Sequence, residues 1–167
     1  SMSPNLKRLA VTNFVSGTVT FVDTDPLSNK FHTIIGQTKA SSGASEMAWE
    51  PEGEDLLVLN RRANSMSIIN GADLTLRKTV ISRINDPIDI VVTARQQGIG
   101  WQSGVYFAYV LNRNGSIAIF ESGPDGINGI GFDDIIGLPE EAKFRQATAI
   151  QPDIRSFNSA IWVAHKD

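Results

Sequence analysis

Three stretches of this sequence share one pattern: RLAVTNFVSGTVTFVDTD (8–25), LLVLNRRANSMSIIN (56–70) and AYVLNRNGSIAIFES (108–122). Each reads as a strand closed by Asn, a short turn, and a second strand. The closing residues are Asn13, Asn60 and Asn112, with His165 in the equivalent place of IWVAHKD, at intervals of 47, 52 and 53 residues. Apolar positions keep step across the copies: Val19, Met66 and Ile117; Phe21, Ile68 and Ile119; Val22, Ile69 and Phe120. A repeat of this period settles architecture before composition does, because each copy must bury its apolar faces against a neighbour.

Alternation in TVTFVD, SMSIIN and SIAIFE has the period of two that a pleated strand requires. Two further segments complete each unit. KFHTIIG, LRKTVIS and FDDIIG end in an apolar pair and a small residue. EMAWEP, DIVVTA and TAIQPD have the more continuous apolar character expected of strands covered on both faces. The best helical candidate, LPEEAKFRQA, supports no more than one turn in a loop. Four antiparallel strands per repeat predict an all-β chain of β-propeller blades. Helical repeats of similar period lack this pattern, and a sandwich of unrelated strands would not keep side chains in register.

Naming the innermost strand A, the chain runs B-C-D, twice A-B-C-D, then A-B. The expected segments are 8–36, 45–82, 87–137 and 146–167, about three and a quarter blades within a single propeller segment spanning 1–167. Closed propellers use at least about four blades, so this chain alone does not close a ring. Unpaired strand edges then invite pairing, either with additional blades from a longer chain or with other copies in a homo-oligomer.

LAVTNFVSGTVTFVDTDPL resembles the YVTN-type β-propeller repeat, within the broader lactonase-like and quinoprotein-like propellers. The later copies depart from it, since INGADL and FESGPDG replace the Asp-Thr, while INDPI (84–88) resembles the family's entry to the next blade. The resemblance covers nearly the whole chain and implies fold, because such propellers host unrelated activities.

The 167 residues are 41% hydrophobic with net charge −3, a balance suited to one soluble globular domain. No apolar run reaches membrane-spanning length, and an acidic total gives no push toward nucleic acid. The absence of Cys excludes disulfides, thiolate catalysis and Cys-ligated zinc in this chain. A native start at Met2 implies a cytoplasmic protein; an excerpt of a secreted propeller implies an extracytoplasmic one.

Charge is distributed unequally between the two ends of the blades. The B–C and D–A turns share one face, with Lys39, Arg61, Arg62, Arg83, Arg113, Lys143, Arg145 and Lys166 set against Glu46, Asp86, Asp89, Glu140, Glu141 and Asp167. The opposite face collects Asp23, Asp25, Glu50, Glu52, Glu54, Asp55, Asp73, Glu121, Asp125, Asp133, Asp134 and Asp153, with few balancing cations. Arg61, Arg62 and Arg113 can grip a carboxylate or phosphate in fork geometry, although Arg is also common in solvated turns. The repeated Asn has a structural explanation in turn geometry and local backbone bonding. Trp101, in the RQQGIGWQSG insertion, either anchors a partner or folds back on its blade.

No nucleophile elbow, phosphate loop or His-x-x-x-His pair is present. His32 reads as a strand residue rather than a ligand. GPDGINGIGFDD supplies Asp125, Asn128, Asp133 and Asp134 but lacks the ordered spacing of a calcium loop, so neither metal nor cofactor is expected. The expected function is a non-enzymatic binding or scaffold module, contacting a protein or an anionic small molecule through the first face, with Arg61, Arg62, Arg113 and His165 as its site residues and Trp101 as a further ligand-binding candidate in its own loop. The alternative, implied by the family resemblance, is a propeller lactonase that opens a sugar-acid ring at the same face.

Overall fold

The computed structural model describes residues 1–95, 106–121, 135–137, 147–153 and 160–166. Trp101, Lys143, Arg145, the GPDGINGIGFDD loop and the helical candidate up to Gln146 lie outside them. The chain divides into two compact units, Ser1–Ile81 and Ser82–Asp167.

In the first unit β1 (Arg8–Asn13), β2 (Thr18–Asp23) and β3 (Ile34–Lys39) form one antiparallel sheet, and β4 (Ala44–Trp49), β5 (Asp55–Asn60), β6 (Ser65–Asn70) and β7 (Leu76–Val80) form a second in sequence order. In the second unit β8 (Pro87–Val92), β9 (Phe107–Asn112), β10 (Ile117–Glu121) and β11 (Ile135–Gly137) repeat the four-stranded arrangement, and β12 (Ala147–Pro152) pairs with β13 (Ile161–His165). Sheets of three, four, four and two strands in a continuous B-C-D, A-B-C-D, A-B-C-D, A-B order are propeller blades that this chain does not close. Asn13, Asn60, Asn112 and His165 each end the strand that the repeat assigned to them.

Period-two patterning positions the first unit's core. Ala10, Val19 and Phe21 turn one face of the β1–β3 sheet onto Ala44, Trp49, Leu56, Val58 and Ile69 of the next. Phe21 meets Trp49 edge-on at 6.4 Å between ring centres, an arrangement the ring quadrupoles favour. In the second unit Tyr109, Leu111, Ile117, Ala147 and Ile150 form the corresponding cluster. There the Asp89 carboxylate accepts the Ile150 N–H at 2.9 Å, tying β8 to β12.

Three expectations are corrected. The first A strand is not covered along both faces: β4 has exposed Glu46, whereas β5, a B strand lying between paired neighbours, is buried along its whole length. The third strand of the first blade begins at Ile34 rather than near Lys30. Asp23 accepts the Asp25 N–H and the Ser28 hydroxyl, Asp25 accepts the Leu27 N–H, and Thr33 bonds back to the Lys30 carbonyl, so residues 24–33 are committed to turns. His32 therefore sits in a turn, not a strand, at φ 62° and stacked on Phe31.

Candidate functional site

The B–C turns and the linkers that enter the A strands meet at one end of each unit, as antiparallel order requires. In the first unit the Ala40 N–H donates to the Gly17 carbonyl at 3.0 Å, Arg61 N–H to Gly43 at 2.9 Å and Ala63 N–H to Ser42 at 3.1 Å. The β1–β2 turn, the β3–β4 linker and the β5–β6 turn thus form one continuous surface. Two glycines permit the approach: both have positive φ, and a Cβ on Gly17 would enter the Ser41 carbonyl, while one on Gly43 would stand 2.6 Å from the Arg62 nitrogen.

The repeated Asn residues lock this end. Asn60 is fully buried; its amide donates to Ser65 Oγ at 3.1 Å and Ser67 Oγ at 2.9 Å, and its Oδ1 accepts the Ser41 N–H at 3.1 Å. Asn112 repeats the device, donating to Ser116 Oγ and the Arg83 carbonyl and accepting the Asn85 N–H at 3.0 Å. Asn13 donates to the Thr18 and Thr20 hydroxyls. These side chains join the end of strand B to strand C and, in the later copies, to a linker 19 to 29 residues upstream, a longer reach than the local bonding expected from sequence. Their role is positional rather than ligand-binding.

The predicted arginines divide between the units. Arg61 and Arg62 stand side by side after Asn60, and Arg62 lies over the Phe14 ring, 4.8 Å from its centre. Lys39 donates its ammonium to the Ser16 carbonyl. In the second unit Arg113 is paired through Nε with Asp86 at 2.5 Å, so part of its fork is engaged. His165 closes β13 opposite Ala147. Sequence reading passed over Phe14 and Val15, which are 39% and 85% exposed at a turn tip. Two adjacent apolar residues in a turn otherwise built of Asn, Ser, Gly and Thr were the available signal.

The opposite end is acidic but better balanced than its sequence suggested. Lys7 pairs with Asp25 at 2.8 Å, and that bond holds the Asp25 carboxyl below its ordinary range. Arg77 Nε stands 3.0 Å from the fully buried Asp55. Burial nonetheless pushes the Asp55 carboxyl up from 3.8 to about 7, against Arg77's pull and with added repulsion from Glu54 and Asp73. Because the folded value lies above the unfolded one, the native state holds a proton that the unfolded chain has released between those limits. Stability is therefore lost as pH rises from about 4 to about 7. Urea midpoints across that window are expected to fall for the native chain and to flatten in Asp55→Asn; an equal slope in both would contradict this assignment. Among the described residues no three His, Asp or Glu side chains group as metal ligands, and no helix is long and apolar enough to cross a membrane.

No protein-family model matches the chain, and no curated protein matches it. Solved structures do. Kuenenia stuttgartiensis hydrazine synthase superposes with TM-score 0.69 at 17% identity, over 93% of this chain and 38% of that one. Sqt1 from Chaetomium thermophilum gives 0.61 at 14% identity, over 81% and 34%. The RRP9 WD40 repeats give 0.62 at 10% identity, over 90% and 40%. At such identities the likeness shows the propeller fold alone. The chain spans roughly two fifths or less of the length of these structures.

Proposed function

We propose that this chain is a non-enzymatic binding or scaffold module of a propeller protein, with the contact surface of each unit at the end built from its B–C turns and the linkers into its A strands. Arg61, Arg62 and Arg113 are the contact cations and His165 is a further contact residue there; Trp101, in the insertion between the A and B strands of the third blade, is a separate anchor for a partner. One observation carries the reading: in the first unit, two turns and a linker are fixed into a single surface that presents cations and bare apolar side chains together. A surface held in place before contact loses little conformational entropy on binding. The WD40 repeats among the similar structures are consistent with a protein partner.

The test is charge reversal at either end of the first unit. Binders are selected from a random peptide library against the native chain, then measured on Arg61→Glu/Arg62→Glu and on Asp25→Lys/Glu52→Lys. At least a tenfold loss is expected in the first variant and little change in the second, on the order of an interfacial contact site. The reverse pattern overturns the reading. So does hydrolysis of a sugar-acid lactone by the native chain that disappears on replacing His165 or Arg113, which establishes the hydrolase alternative instead.

A further inference from the structure

We infer that the surface formed by the β1–β2 turn, the β3–β4 linker and the β5–β6 turn docks an acidic polypeptide segment that carries an apolar anchor side chain. This rests on the binding reading above and names the partner's chemistry. Residues 13–18, 39–45 and 60–66 contain Lys39, Arg61 and Arg62 and no Asp or Glu; the nearest acid in sequence is Glu46, within β4. The cations are held in place: Lys39 is tied to the Ser16 carbonyl, and Arg62 lies along Phe14. A fixed positive surface of this kind attracts carboxylates and rejects basic segments.

The apolar part decides the class of partner. Val15 is 85% exposed and Phe14 39%, side by side at the tip of a turn. Single-stranded nucleic acid is held by bases stacked on open aromatic faces. Here the nearby ring has the Arg62 guanidinium over one face, and its exposed neighbour is aliphatic. An apolar residue packed on Val15 and the free part of Phe14, with flanking carboxylates reaching Arg61, Arg62 and Lys39, engages the cations and the exposed apolar side chains of the surface together.

The probe is a short, capped, fluorescent peptide of alternating Glu and Leu, measured by anisotropy on the whole chain. Comparison peptides carry Lys for Glu, or Ser for Leu. The Glu/Leu peptide is expected to bind, to weaken as salt rises from about 0.05 to 0.5 M, and to lose about tenfold in affinity with Arg62→Gln and with Phe14→Ser. Val15→Asp, at a position too exposed to disturb folding, is expected to weaken it as well, so the test stands even where Phe14→Ser lowers the melting temperature. Equal binding of the Lys/Leu or the Glu/Ser peptide overturns the inference. Tighter binding of an oligouridylate overturns it in favour of nucleic acid. Self-association abolished by Arg62→Gln overturns it in favour of a second copy, whose acidic end carries the complementary charge. Library-selected binders that depend on Arg61 and Arg62 but are not acidic contradict this inference and leave the general binding reading standing; binders indifferent to both arginines contradict both.

Discussion

Phe21→Ala is expected to destabilise the first unit by about 4 kcal/mol, within the range for removing a buried aromatic ring. Phe21 is fully buried, and it packs with Ala10 and Val19 against the neighbouring sheet. The replacement empties the space between two sheets whose backbones are fixed by their own ladders, so the cavity collapses poorly. It also removes the edge contact with Trp49. Urea unfolding followed by tryptophan fluorescence and by far-ultraviolet circular dichroism measures the change. At a slope of about 1–3 kcal/mol per molar urea, the midpoint falls by roughly 1.5–4 M. A cost below about 1 kcal/mol would mean that Phe21 does not join these sheets.

Asn60→Ala is expected to cost about 3 kcal/mol. The substitution leaves three polar groups at a buried site without the bonds they now make: the Ser41 N–H and the hydroxyls of Ser65 and Ser67. Each orphaned group costs about 1–3 kcal/mol, reduced where a hydroxyl rotates to another partner. Asn13→Ala supplies the contrast. Asn13 is only half-buried, and its amide bonds to the Thr18 and Thr20 hydroxyls, so its loss is expected to cost about 1 kcal/mol. Equal effects at the two positions would show that the linker bond made by Asn60 contributes nothing. A large effect at Asn60 also bears on binding, since the Ser41 bond holds the linker between the two exposed turns.

What the sequence made legible is what its periodicity controls. Val19, Phe21, Met66 and Ile68 were aligned across copies on spacing alone, and all four are fully buried. The ends of β1, β5, β9 and β13 fall on the aligned Asn and His residues for the same reason. Less legible were features set by side chains bonding to backbone far away or against local propensity. Ile34, Ile35 and Gly36 gave an apolar strand signal, but the turn bonds of Asp23, Asp25 and Thr33 decide where that strand starts. Asp55 looked like one more surface acid, because composition does not reveal that burial overrides the Arg77 partner. Phe14 and Val15 fall in the short turn between two strands, where spacing assigns apolar residues no partner. Their exposure, and Arg62 of the next blade's turn lying over the Phe14 ring, mark them as part of a surface.

The contact surface itself is tested most directly by amide chemical-shift mapping of the labelled chain, titrated with the selected peptides. Perturbations are predicted to concentrate at 13–17, 39–43 and 60–64, with saturation that tracks binding. Perturbations concentrated instead at 24–33, 50–54 and 70–75 would place the contact at the acidic end and contradict the assignment.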